Sequence, residues 1–131
     1  MFRWLVRSAM EAMLPAEAGL PGVADCAPDL FITRISKEAC GRLWWGMVAA
    51  GFAFQLLPVV VVGIPLPAFL LSPRARDRYA FKLSTHRSYL IRQVAFIAKF
   101  AAGLCWGGHD SVREALALPP YATDPGTWRA S

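Results

Sequence analysis

The sequence predicts an all-α domain. Apolar residues recur at helical spacing along most of the chain, and capping residues, prolines and glycines divide it into segments of helical length. A run of the β-branched residues that favour strands occurs only at positions 59–62. At 131 residues the chain is near the usual size of one domain. We expect a small irregular domain of about five helices over residues 1–121, with a long apolar central helix, a Pro-interrupted apolar segment and an irregular tail over residues 122–131.

The composition indicates that part of the surface faces something other than water. Apolar residues make up 56% of the chain and charged residues only 18%, against about 45–50% and 25% in soluble domains. This excludes disorder for most of the chain and favours a lipid or protein partner. The net charge is +5, with 11 arginines and three lysines among the 14 basic residues. A basic balance suits an anionic membrane surface or an acidic protein surface.

The first two predicted helices are marked by prolines and a cap. Residues 2–14 place apolar side chains on one helical face and charged side chains on the other. Pro15 ends this helix, because the residue before a proline disfavours the helical conformation. After a loop, Asp25 is expected to cap a second helix with Pro28 in its first turn. The helical pattern then continues to about Leu57.

A charge-free run of thirty residues covers positions 43–72. About 20 apolar residues suffice for a membrane span, but five residues interrupt this run: Gln55, Pro58, Gly63, Pro65 and Pro67. We therefore expect an extended or kinked piece over residues 58–67 and a short turn over residues 68–71. Basic residues flank the run on both sides, which suits a segment that enters one leaflet or packs against a partner better than a single span.

Two further helices follow the charge-free run. Ser72 is a capping residue directly before a proline, so a helix is predicted over residues 73–84. Thr85 or Ser84 is expected to cap the next helix, over residues 86–105. That helix is apolar on nearly every side, which is typical of a central helix.

The residues that carry chemistry form no catalytic group in the sequence. Ser84 and His86 are near neighbours, and His109–Asp110–Ser111 are contiguous, whereas triad members come from separate elements. We expect these residues to cap helices, with Asp110 beginning a last short helix over residues 111–118. The chain has no GxGxxG or Walker motif, no spacing that fits zinc and no nucleic-acid reading module. We expect no catalytic, cofactor or metal residues and no nucleic-acid partner. The three cysteines are expected to be buried apolar residues: Cys26, Cys40 and Cys105.

Aromatic residues are the candidate interface. Rings are enriched in protein interfaces and at the membrane surface, so we expect some of them to contact a partner or lipid. The candidates are Trp44, Trp45, Phe52, Phe54, Phe69, Phe96, Phe100 and Trp106.

Four segments in order carry a family resemblance. They are EAMLPAEAGLPGVAD (residues 11–25), RISKEACGRLWWGMVAA (34–50), FLLSPRARDRYAFKLSTHRSYLIRQVAFIAKFAAGLCW (69–106) and HDSVREALALPPY (109–121). The chain resembles the small helical region that accompanies flavin-dependent glucose–methanol–choline (GMC) oxidoreductases. In one branch this region is a separate subunit, of the gluconate 2-dehydrogenase subunit 3 type. In another it is the N-terminal part of long-chain fatty alcohol oxidases.

The resemblance implies a non-catalytic accessory subunit. Such a chain binds and stabilises a GMC-type flavoprotein, whose own FAD and catalytic base oxidise the alcohol, and a role in seating the complex on a membrane is left open. The sequence has neither a secretory nor a twin-arginine signal, so we expect a cytoplasmic protein or one on the cytoplasmic face of a membrane. The alternative is a small integral membrane protein with spans over residues 43–71 and 88–106. A stand-alone enzyme has no residues to support it.

Overall fold

The computed structural model describes residues 2–120, and this part of the chain is all-α, as predicted. It contains seven α-helices rather than five: α1 (Arg3–Met13), α2 (Pro28–Glu38), α3 (Gly41–Leu56), α4 (Pro58–Val61), α5 (Pro73–Ser84), α6 (Tyr89–Gly107) and α7 (Asp110–Ala115). Single 3-10 turns lie at Val23–Asp25 and Ala68–Leu70. The predicted tail over residues 122–131 lies outside the described residues.

The predicted second helix is in fact two helices. Ala39 and Cys40 are extended, with ψ of 152° and 146°, so the prediction of a continuous helix to Leu57 is wrong. Asp25 does not cap α2 either. Its Oδ2 accepts from the backbone N–H of Gly22 at 3.0 Å and closes the 3-10 turn instead. The N-cap position of α2 is occupied by Ala27, which adopts a left-handed φ of 48° and provides no side-chain cap.

Helices α1, α3 and α6 pack together and form the centre of the fold. Helices α1 and α3 run parallel, because Leu5 lies at Gly51 and Ser8 lies at Gln55. A Cβ at position 51 would meet the Leu5 carbonyl carbon at 2.8 Å, so only glycine allows this approach. Helix α6 completes the centre with small buried residues: Ala95, Ala98, Ala101, Ala102 and Cys105.

The Pro-interrupted segment begins with one turn of helix rather than an extended piece. Pro58 is the first residue of α4, where its fixed φ suits a helix start. The left-handed Gly63, at φ 72°, lies just beyond this helix. The prediction of an extended or kinked piece from residue 58 is therefore wrong over Pro58–Val61. The short turn expected over residues 68–71 is present at Ala68–Leu70.

Pro58 also deprives α3 of a hydrogen-bond donor. It stands four residues after Phe54 and has no N–H to offer the Phe54 carbonyl. The hydroxyl of the fully buried Tyr79 on α5 donates to that carbonyl at 2.6 Å. Burial raises the pKa of Tyr79 well above its usual range, so this hydroxyl keeps its proton. The hydrogen bond joins α5 to the end of α3.

The Tyr79→Phe variant is expected to lose about 1–3 kcal/mol of unfolding free energy, because the buried Phe54 carbonyl loses its donor. Tyr89→Phe is the matched control, since Tyr89 is 64% exposed. Chemical denaturation of both variants in the same mild detergent measures the difference. Equal stability of the two variants would show that the hydroxyl at position 79 contributes nothing.

Capping explains where the later helices begin. Ser72 caps α5 as predicted, and its Oγ accepts from the N–H of Ala75 at 3.3 Å. Ser84 and Thr85 instead lie at the end of α5, where their hydroxyls donate to carbonyls of the preceding turn. Helix α6 therefore starts three residues later than expected, after Ser88. The N-cap of α7 is His109 rather than Asp110.

Candidate docking surfaces

Five of the eight predicted interface aromatics lie at the surface of the described chain. They are between 47 and 60% exposed: Trp45, Phe52, Phe69, Phe96 and Phe100. Trp44 and Trp106 are half-buried against the hydrophobic core. The indole N–H of Trp106 donates to the Pro21 carbonyl at 2.7 Å, so this side chain fixes the loop before the first 3-10 turn. An interface role for the exposed five stays a prediction.

Phe54 is wrongly assigned to the interface. Its side chain is fully buried, and its ring packs against that of Tyr79 with centroids 5.0 Å apart. The residue follows Phe52 by two positions, which puts the two rings about 200° apart around α3. Phe52 therefore faces outward where Phe54 faces the core.

We define the aromatic face by six exposed apolar residues of α1 and its N-cap, of α3 and of the second 3-10 turn: Phe2, Trp4, Trp45, Phe52, Leu56 and Phe69. Trp45, Phe52 and Leu56 lie on one stripe of α3, at spacings of seven and four residues. Two ring contacts connect the residues contributed by different elements. Phe2 approaches Trp45 at 6.1 Å, and Trp4 meets Phe69 edge-to-face at 6.0 Å.

Gln55 holds two elements of the aromatic face together. It is buried, and both ends of its amide are paired. Its Nε2 donates to the hydroxyl of Ser8 on α1 at 3.0 Å, and its Oε1 accepts from the Phe69 N–H at 3.0 Å. A buried amide with both ends satisfied fixes orientation. In the sequence this residue counts only as an interruption of an apolar run.

We define the cationic face by exposed residues of α5 and α6: Arg74, Arg78, Phe81, Arg92, Phe96, Lys99 and Phe100. On α6, Arg92 and Lys99 lie four residues before and three residues after Phe96, so the three share one side of the helix. Phe96 and Phe100 stack with centroids 6.3 Å apart. Helix α5 packs against α6 and adds its own exposed charges.

Sequence reasoning missed Phe2, Trp4 and Phe81. The helical spacing assigns Phe2 to the buried stripe of α1, but this residue precedes the first helical residue and is 38% exposed. The signal for Trp4 and Phe81 is their position beside charged neighbours on otherwise amphipathic helices. Large rings at such positions are candidates for contact with a partner.

Helix α6 is long and apolar enough to cross a membrane. It has 19 residues, and 28% of its apolar window is buried inside the fold. The core helix of a soluble protein passes the same test of length and composition. The buried part of α6 is its alanine side, while Phe96, Phe100 and Leu104 remain exposed.

In the described chain, the two histidine side chains accept hydrogen bonds from nearby backbone N–H groups. The His86 Nδ1 accepts from the Ser88 N–H at 3.0 Å, and the His109 Nδ1 accepts from the Ser111 N–H at 3.3 Å. These contacts stabilise turns and a helix start. Over residues 2–120 no group of three or more His, Cys, Asp and Glu residues is close enough to hold a metal ion.

The cysteines differ in exposure. Cys26 and Cys105 are buried as expected, but Cys40 is exposed because it lies in the extended break before α3. The Cys105 thiol donates to the Cys26 carbonyl at 3.5 Å. Burial, with a smaller effect of the nearby Cys26, raises the pKa of Cys105 to about 11. Burial also raises the pKa of Cys26.

A thiol reagent at pH 8 is expected to modify Cys40 alone in the folded chain. The thiolate is the reactive form, and raised pKa values and burial suppress it at Cys26 and Cys105. Mass spectrometry after brief labelling measures this, with a denatured sample as the fully labelled reference. Cys40→Ser should abolish rapid labelling. Equally fast labelling of Cys105 in the folded chain would contradict the packing described above.

The described chain thus has two candidate docking surfaces, one aromatic and the other basic with interleaved phenylalanines. Both lie on the central helices and their immediate neighbours. Comparison of the sequence and structure with protein-family models, with curated proteins and with solved structures finds no match.

Proposed function

We propose that this chain is a non-catalytic accessory subunit that binds and stabilises an FAD-dependent GMC-type alcohol dehydrogenase or oxidase. The observation that carries the proposal is the aromatic face. Monomeric soluble proteins rarely leave a large apolar patch uncovered, and interface cores are enriched in Trp and Phe. Four of its six residues belong to the charge-free run over residues 43–72, so the face suits an apolar partner surface.

The resemblance to the small chains of GMC oxidoreductases supports the class of partner. The partner would hold FAD through its own GxGxxG loop, and this chain would hold no cofactor. Phe52 and Trp45 would pack into the flavoprotein and exclude water there. We place the complex in the cytoplasm or on the cytoplasmic face of a membrane.

A small integral membrane protein is the second candidate. The length and apolar character of α6 favour it. Two features speak against it. Arg92 and Lys99 would lie within the hydrocarbon on the exposed side of α6, which is costly. The other proposed span, over residues 43–71, is divided among α3, α4 and a 3-10 turn.

Co-expression distinguishes the two candidates. Alone, the chain should aggregate or require detergent, because the aromatic face is uncovered. With its flavoprotein it should be recovered from detergent-free buffer as a stoichiometric complex. An integral membrane protein requires detergent whether or not the flavoprotein is present. A monodisperse monomer in plain buffer would contradict both candidates.

A further inference from the structure

Positive charge is concentrated in α5 and α6. Residues 73–107, which contain both helices, have seven basic residues and one acidic residue, a formal net charge of +6. The whole chain has a net charge of +5. The remainder of the chain is therefore close to neutral, and the basic character of the protein belongs to one helical hairpin.

These positive charges have no carboxylate partners within the described residues. The three ion pairs in that part of the chain all join residues of α1 and α2. On α6, the Arg92 guanidinium donates to the carbonyls of His86 and Arg87, at 2.8 and 3.1 Å, which leaves its charge unneutralised. An external anionic surface can complement this charge.

The same hairpin exposes large rings between its charges. Phe96 is 60% exposed and Phe81 is 69% exposed. A cleft of about 280 Å³ at the start of α5 repeats the pattern, since Val62 and Ile64 line it together with Arg74 and Arg78. Rings and aliphatic side chains alternating with Arg and Lys are typical of segments that lie in the headgroup region of a bilayer.

The aromatic and cationic faces point away from each other. On α3, Met47, Ala50 and Gly51 face α6, where they line a narrow crevice with Ala98 and Ala101. The exposed stripe of α3 lies on the other side of that helix, and the exposed side of α6 lies opposite its alanines. One body can therefore contact two different partners at the same time.

We propose that the cationic face rests on the surface of an anionic phospholipid bilayer, with α6 lying in the plane of the membrane. Three rings insert below the lipid phosphates: Phe81, Phe96 and Phe100. The surrounding Arg and Lys side chains bind the phosphate groups. A nucleic-acid duplex would neutralise the charges but leave the phenylalanines in water, because its bases are stacked on one another. An anionic bilayer neutralises the charges and also buries the phenylalanines. Binding of the cationic face to a membrane does not depend on the proposed function. Only its consequence does, namely that the aromatic face on the opposite side remains free to bind the flavoprotein.

Vesicle flotation tests the proposal on the full chain. The chain is synthesised cell-free in the presence of vesicles, of phosphatidylcholine alone or mixed equally with phosphatidylglycerol, and fractionated on a sucrose gradient. We expect flotation with the anionic vesicles and not with the neutral ones. Arg78→Gln/Lys99→Gln should bind the anionic vesicles about 20- to 30-fold more weakly by lipid titration. Neither side chain makes a hydrogen bond or ion pair within residues 2–120, so the fold is expected to survive.

The matched control is Lys37→Gln/Arg42→Gln, which removes the same charge outside the hairpin and should bind as the unmodified chain does. Phe96→Ser/Phe100→Ser should float at low ionic strength but detach at about 0.5 M salt, where screening removes the electrostatic part. Soluble glycerophosphate should not displace the chain, because it offers no apolar layer.

Four results would overturn the proposal. The first is equal flotation with neutral and anionic vesicles, and the second is an equal loss of vesicle affinity in Arg78→Gln/Lys99→Gln and Lys37→Gln/Arg42→Gln. The third is binding to duplex DNA in place of vesicles. The fourth is resistance to alkaline carbonate extraction, which marks an integral helix. The flavoprotein is absent from this experiment. A negative flotation result therefore does not contradict binding to the flavoprotein. A negative co-expression result likewise does not contradict binding to vesicles.

Discussion

The Gly51→Ala variant is expected to lose about 1–3 kcal/mol of unfolding free energy, the usual cost of overpacking. The added Cβ would lie 2.8 Å from the carbonyl carbon and 2.9 Å from the carbonyl oxygen of Leu5. Both atoms belong to the backbone of α1, so no rotamer change relieves the contact. Helix α1 has to move away from α3, which loosens the centre of the fold.

Gly46→Ala is the matched control in the same helix. A Cβ at position 46 meets nothing within 4 Å, so the variant should gain up to about 1 kcal/mol from the better helix propensity of alanine. Thermal unfolding of the chains in the same mild detergent, followed by circular dichroism, measures both. If Gly51→Ala is as stable as Gly46→Ala, the close packing of α1 on α3 is incorrect.

Truncation of the aromatic face is expected to have the largest effect on assembly. Trp45→Ala/Phe52→Ala should weaken the complex with the flavoprotein about 700-fold, because two central interface aromatics at about 2 kcal/mol each together contribute about 4 kcal/mol. Both side chains are exposed in the chain itself, so its helical content should not change. Pull-down at graded concentrations measures the affinity.

Leu30→Ala is the control for this truncation. Leu30 is 75% exposed, but it lies on α2 and outside both faces. Its loss should leave assembly within about twofold of the unmodified chain, which is the usual range for residues away from a hot spot. If Leu30→Ala and Trp45→Ala/Phe52→Ala weaken assembly equally, the aromatic face is not the partner surface.

Helix boundaries could be predicted where one local signal decides them. A serine directly before a proline is a specific signal for a helix start, and α5 begins after Ser72. The hydroxyls of Ser84 and Thr85 are ambiguous signals, because a hydroxyl can accept from the next helix or donate to the previous one. Here both donate backwards, and α6 begins later. The break at Ala39 and Cys40 has no such signal, because neither a proline nor a capping side chain marks the start of α3.

The candidate surfaces were harder to predict because α3 has no polar stripe to orient it. Its apolar residues surround the helix, so the sequence alone could not separate Phe52 from Phe54. The orientation is set by Gly51 against α1 and by the paired amide of Gln55. Both are tertiary contacts. By contrast, the excess of basic residues in α5 and α6 is visible in the sequence, but their lack of carboxylate partners is not.

Purification of the affinity-tagged chain from its native cells tests the central claim most directly. We expect one stoichiometric larger chain that contains a GxGxxG segment, carries flavin absorbance and oxidises an alcohol. The Trp45→Ala/Phe52→Ala chain should recover none of it. Recovery of the tagged chain alone, or with a partner that lacks flavin, would contradict the assignment of this protein as an accessory subunit of a flavin-dependent alcohol oxidoreductase.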